Sequence, residues 1–378
     1  MSIDSIDKKI VAGMSHLYCE NAAFFIAAQC GLVPIAWATT GVAKNALFEA
    51  FCKSIGYDYH LFIPSIHLPE DIGGCTDIDR KRKVSEVYPM EWIKQLEKPN
   101  QCLHIDEVNT AGPTMMPPLL SITNERRVGD IVFHPSTIIM CAANPERMAP
   151  NAAPLAGSMQ NRLYHHDWVF PINQWIAGMK NGGVFETPDD FPIVGDYSAY
   201  LPKWTAALGN FAHRNRSAIV TEELPEAEQA FCSPRMLFKL SHCLAGADKV
   251  KASGETIEQL CNGTVGRDVG AQLIEFIGVM NLYDADEVID GNVTVDYADD
   301  RVDSLIYLPA AIMDALKPEG RHSKARLDKS VEVLLDMGDN GLLDAVMPVM
   351  GELQRSYPKW TAPKKLKARY GACMVELA

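Results

Sequence analysis

The chain has 378 residues, 47% hydrophobic and 22% charged, which is enough apolar content to bury a sizeable core and to divide into two or three units. Its formal net charge of −13 at pH 7 repels phosphate backbones over most of the surface, which disfavours general binding to nucleic acid or anionic membranes. Ten cysteines without a C-x-x-C pair read as reduced, mostly buried thiols of a cytoplasmic protein, and the N-terminal stretch lacks the apolar core of a secretion signal.

The first predicted element is a helix over residues 5–30, with Ile10, Met14, Leu17 and Phe24 on one stripe. No charge interrupts the run from Asn21 to Ala43, a length that would permit a membrane span. Gln29, Gly31, Pro34, Thr39, Thr40 and Gly41 instead divide it into a helix, a turn, a short buried strand and a polar loop. The strand is Leu32 to Trp37, and a helix with Leu47, Phe48 and Phe51 inward is expected from Lys44 to Ile55. Between them "ATTGVAKN" nearly spells the phosphate-binding template G-x-x-x-x-G-K-[ST]. Ala38 and Ala43 stand where the template has glycine, and Asn45 stands where it has a hydroxyl residue.

Further along, "HLFIPSIHL" (His60 to Leu68) alternates like a second strand and "PEDIGG" closes it with turn chemistry. "QCLHIDEVN" (Gln101 to Asn109) reads as an apolar strand ending in two acids. Thr114 to Asn124 reads as a helix, "ERRVGDIVFHP" as a hairpin, and "STIIMCAANP" as a buried strand ending at Asn144. Apolar strands alternating with helices predict an α/β fold with a mostly parallel sheet covered on both faces. After Pro171 the pattern turns helical: segments around Trp204 to His213, Glu226 to Ala245 and Thr256 to Ile277 suggest a lid, and Val302 to Glu352 adds helices before the basic "PKKLKAR". The expected division is an N-terminal helical segment (1–30), a nucleotide-binding domain (31–170), a helical lid (171–290) and a C-terminal helical extension (291–378).

Nucleotide hydrolysis needs amides and a lysine for phosphate, a carboxylate for magnesium and a group that activates or orients water. Lys44 follows the first strand, Asp106 and Glu107 end a later one, and Asn144 ends the next; ligands gather at such carboxyl ends, so the four should share one crevice. His165, His166 and Asp167 are adjacent in an expected strand and point to opposite faces, so no metal site is expected there.

The run "CLHIDEVNTAGPTMMPPLLSITNERRVGD" resembles the Walker B region of AAA+ ATPases of the MoxR type. "STIIMCAANP" resembles their sensor 1 strand, "PLAGSMQNRLYHHDW" the segment with the arginine finger, and "CSPRML" the sensor 2 motif opening a lid helix. The similarity spans roughly residues 30–280 and implies a P-loop NTPase (AAA+) three-layer αβα sandwich followed by an α-helical lid.

It also implies ATP and Mg2+ as cofactors. Thr40, Gly41, Val42, Ala43, Lys44, Asn45 and Ala46 would contact the nucleotide, with Lys44 on the β- and γ-phosphates. Asp106 and Asn45 would lie at the metal, Glu107 would be the base, and Asn144 would orient water or the γ-phosphate. Arg162 would reach a neighbouring subunit's nucleotide and Arg235 would touch phosphate from the lid; Arg126 and Arg127 are read as a solvated hairpin ahead of a subunit-boundary role. The expected molecule is a ring, a hexamer, that remodels a client such as a von Willebrand factor A domain protein. A non-hydrolysing nucleotide-binding scaffold is the alternative, and a nucleic-acid motor ranks third.

Overall fold

The computed structural model describes residues 20–148, 152–187, 191–220, 228–280, 283, 285–297, 305, 307–316, 324–361, 363–364, 368–369 and 371. Ile10, Met14 and Leu17 of the expected first helix, and part of the basic C-terminal run, lie outside these residues. The chain divides into two compact units: residues 1–204 with 216–271, and residues 205–215 with 272–378.

The first unit is built on a five-stranded sheet of β1 (Val33–Trp37), β2 (Asp58–Phe62), β5 (Gln101–Ile105), β8 (Ile138–Ala143) and β9 (Leu163–Asp167), in the order β2-β5-β8-β1-β9. All its pairings are parallel, with Ile35 of β1 opposite Cys141 on one side and His165 on the other. Every residue of β1, β5 and β8 is buried, as a strand covered on both faces requires. Pro34, which cannot donate to a ladder, precedes the start of the β1–β8 register at Ile35.

Alternation along the strands separates two cores. Val33, Ile35, Trp37, Leu103, Ile105, Ile139 and Cys141 face one layer, packed with Ile93, Leu96, Leu119, Ile122 and Met159. Ala36, Cys102, Met140 and Ala142 face the other, against Phe24 and Phe25 of helix α1 (Ala22–Gln29) and Phe48 and Phe51 of helix α2 (Lys44–Ser54). Phe24 stacks on Phe48 at 4.8 Å between centroids, so the aromatic faces lock these two helices together. The uncharged run from Asn21 thus resolves into α1, a turn, β1 and a loop, and no helix among the described residues is long and apolar enough to cross a membrane.

Several expected boundaries move. The strand foreseen to Leu68 stops at Phe62, because Pro64 opens a 3-10 turn through Ile66. Ile66 and Leu68 are consequently exposed. "PEDIGG" is a one-turn helix, α3 (Pro69–Gly73), with proline at its start and Asp71 Oδ2 accepting from Leu68 N at 2.9 Å. An antiparallel hairpin, β3 (Cys75–Asp79) with β4 (Val84–Tyr88), follows where no element was expected. Gly74 leads into it with a φ of 84°, where a Cβ would stand 2.5 Å from Tyr88 O. The hairpin of β6 (Arg127–Val128) and β7 (Ile131–Val132) is where "ERRVGDIVFHP" puts one.

Beyond β9 the elements among the described residues are helices. Of the helix foreseen from Glu226, that residue and Ala227 lie outside the described residues and 228–233 are not helical; the helix is α4 (Pro234–Lys249), with the Ser233 hydroxyl accepting from Met236 N at 3.2 Å. The helical stretch from Thr256 to Ile277 breaks at Gly266, whose φ is 84°, into α5 (Gly254–Val265) and α6 (Arg267–Met280). Helix α5 lies close on β9, for a Cβ at Gly263 would come within 2.2 Å of His165 O. The second unit has its own helical core, including Leu308, Ile312, Val331, Leu334, Val346 and Met350.

Candidate functional site

The loop after β1 leaves the sheet at Ala38, whose N–H still donates to Ala143 O of β8 at 3.3 Å. Gly41 has a φ of 79°, and Ala43, the residue that opens α2, has φ 58° and ψ 23°. The two alanines that replace template glycines therefore differ. Ala38 is not left-handed, so its methyl carries no backbone cost there. Ala43 is left-handed, which costs an L-residue about 1–2 kcal/mol. Ala43→Gly is accordingly expected to raise stability by about 1 kcal/mol, read as a higher midpoint in thermal or urea unfolding. An unchanged or lower midpoint would mean that the loop relaxes without strain.

Lys44 begins α2 and is buried. Its ammonium donates to Ala38 O at 3.3 Å, Thr39 O at 3.4 Å and Asn144 Oδ1 at 3.3 Å. Burial pulls its pKa below the ordinary lysine range, and the charges of Asp106 and then Glu107 pull it back. Asn45, one residue on and exposed, donates from Nδ2 to Asp106 Oδ2 at 2.9 Å.

Asp106 and Glu107 follow the last residue of β5. Asp106 N donates to Phe62 O of β2 at 2.9 Å, and Glu107 N donates to Asp106 Oδ1 at 2.9 Å. Glu107 has a φ of 53°, a left-handed turn that swings the chain out of the strand. The turn is held by Thr110, whose N–H and hydroxyl both donate to Glu107 O, at 2.9 and 2.8 Å. Asn144 follows the last residue of β8 in the same row of strand ends. Lys44, Asn45, Asp106, Glu107 and Asn144 are thus brought together at the carboxyl edge of β1, β5 and β8.

Two buried residues at this edge carry no role in the sequence reading. Asn109 Nδ2 donates to Asn144 O at 2.7 Å, while its own Oδ1 is buried without a hydrogen-bond partner. It ties the turn after Glu107 to the end of β8; its place three residues past Asp106 is the only sequence signal. His104 lies two residues before Asp106 on the α2 face of the sheet, its ring 4.7 Å from that of Phe48 and its Nδ1 2.7 Å from Tyr59 OH. Burial pushes it down to about 4, opposed by Asp106 and aided by Lys44, so it is neutral at pH 7.

The donor set fits a magnesium ion in part. Each Asp106 oxygen accepts one hydrogen bond and keeps a lone pair, which suits a metal held through water. Asn45 does not fit as foreseen, because the side of its amide that faces Asp106 is the NH2. His165 and His166 are engaged elsewhere: His165 meets Gln160 O and the Trp37 indole N–H, and His166 meets Asn21 Oδ1 and Tyr164 OH.

Arg162 and Arg235 take up a different neighbourhood. Gln160 Nε2 donates to Gln229 O, Asn161 Nδ2 to Phe231 O and Ser233 Oγ to Asn161 Oδ1, at 2.8, 3.0 and 2.7 Å. These bonds clamp the segment before α4 onto the turn before β9 and bring the two arginines into electrostatic contact. Burial lowers the pKa of Arg162 and Arg235 lowers it further, while Glu125 opposes. Lys239, one turn along α4, is lowered by burial and by Arg126, Arg235 and Arg162. Arg162, Arg235, Arg126 and Lys239 thus form a cationic cluster. Arg162 donates to Ser158 O, and its Nε is buried without a partner.

No family model and no curated protein matches the chain. Among solved structures it is similar to one described as a "putative ATPase" from Cytophaga hutchinsonii, at 15% identity, covering 73% of this chain and 91% of that one with a TM-score of 0.42. At that level the likeness adds nothing to the assignment of the site, which rests on its geometry.

Proposed function

We propose that this chain binds ATP at the loop between β1 and α2 and hydrolyses it, as an AAA+ ATPase of the MoxR type. The observation that carries the reading is the ammonium of Lys44 held between loop carbonyls and Asn144 Oδ1, with Asp106 and Glu107 the charges that act on it. Three separate strand ends thereby supply a phosphate-binding cation after β1, a metal-holding carboxylate and a base after β5, and the water-orienting Asn144 after β8. The amides of Gly41, Val42 and Ala43 and the start of α2 would cradle the phosphates, flanked by Thr40 and Ala46. Asp106 would hold magnesium through water, and the ion when bound supplies neutralising charge at the phosphates. Glu107 would take the proton of the attacking water and Asn144 would orient it.

Arg162 would reach a neighbouring subunit's nucleotide as an arginine finger and Arg235 would touch phosphate from the lid; a finger of that kind works only in a ring, taken to be a cytoplasmic hexamer. The protein client and its von Willebrand factor A character rest on the resemblance alone. Strain at Ala43 and the Asn45 bond to Asp106 favour a second reading, a scaffold that binds nucleotide with little turnover. ATP hydrolysis measured against protein concentration separates them: specific activity should rise with concentration and fall to background in Arg162→Ala. A measurable rate independent of concentration and unaffected by that substitution would remove the ring, and no rate at any concentration would leave the scaffold.

A further inference from the structure

Resting on the nucleotide-site reading, we infer that Asn45 holds Asp106 as a hydrogen-bond donor in place of a metal-bound hydroxyl, so that nucleotide binding here is largely independent of a divalent cation. In the phosphate-loop template the hydroxyl at this position lies on the metal ion. A hydroxyl oxygen can ligate a cation and donate its proton with one atom, so metal binding and carboxylate contact are joined there. An amide divides those jobs between two atoms. Asn45 presents Nδ2 to Asp106 Oδ2 at 2.9 Å, and since a carboxylate only accepts, the group facing it has to be the NH2.

The other Asp106 oxygen is bonded to Glu107 N, also at 2.9 Å. Both oxygens of the carboxylate are therefore oriented by N–H donors of the chain before any cation arrives. The charges of Asp106 and Glu107 both act on Lys44. Together these groups do much of what a cation does for an incoming phosphate: they fix Asp106 and set a buried positive charge within reach of both acids. Asn45 is exposed in the first turn of α2, so the bond can be altered without opening a cavity.

The test is equilibrium binding of a fluorescent ATP analogue to the full chain in excess magnesium and in EDTA, for the parent, Asn45→Ser and Asn45→Ala. The parent dissociation constant is expected to change by about threefold or less between the two conditions. Asn45→Ser, with a hydroxyl restored, should bind about tenfold more tightly in magnesium than in EDTA. Asn45→Ala, with Asp106 released, should lose affinity in EDTA and regain it in magnesium. A parent that weakens tenfold or more in EDTA, alongside an Asn45→Ser variant that behaves identically, overturns the inference and leaves the nucleotide site standing. No binding by the parent in either condition overturns the nucleotide-site reading itself, and the inference with it.

Discussion

Glu107→Gln is expected to reduce ATP turnover by about 10²–10⁴-fold, the range that a positioned general base contributes, while nucleotide affinity stays within a few-fold of the parent. The substitution keeps the shape of the side chain and removes only its basicity. What places the carboxylate is backbone: the left-handed turn at Glu107, closed by both donors of Thr110 and by the bond from Glu107 N to Asp106 Oδ1. None of these contacts uses the Glu107 side chain, so Gln inherits the same position. A turnover number within threefold of the parent would show that Glu107 is not the base. If the parent itself shows no hydrolysis above this variant, the intact acidic pair serves binding alone.

The parts of this site that could be read in the sequence are those fixed by strand ends. Apolar runs fully covered on both faces announce β1, β5 and β8; Asp106, Glu107 and Asn144 follow two of those runs directly, and Lys44 opens the helix after the loop that follows the third. The hairpin of β3 and β4 gave no such signal: Ile78 and Val84 are exposed, and a strand pair without a buried face has no hydrophobic alternation to detect. The grouping of Arg162 with Arg235 was equally hidden, since it depends on hydrogen bonds between residues 160–161 and 229–233 that only the folded chain brings together. For Asn45 the sequence reading sets it beside Asp106 at the metal; what only the folded chain shows is that its Nδ2 bonds Asp106 Oδ2 directly.

Lys44→Ala should weaken ATP binding by about 10–100-fold, the worth of charge-assisted hydrogen bonds to phosphate at about 1.5–3 kcal/mol, with little loss of fold stability. The second half of this expectation is what separates a functional lysine from a structural one. Desolvation is the largest influence on Lys44 and opposes its charge, outweighing the help from Asp106 and Glu107. Protonated Lys44 is therefore held at a cost, and discarding the charge relieves that cost even as three oxygen acceptors lose their donor. Lys44→Met keeps the buried stem and serves as the packing control. Both variants should unfold near the parent's midpoint and both should lose nucleotide. Retained affinity in Lys44→Met would sink the phosphate-binding role, whereas a collapse of stability in both variants would make Lys44 a strut for the Asn144 and Asp106 strand ends. The geometry favours the first pattern, because the acids stay anchored without the lysine: Asp106 by Asn45 and Glu107 N, and Asn144 by the amide of Asn109.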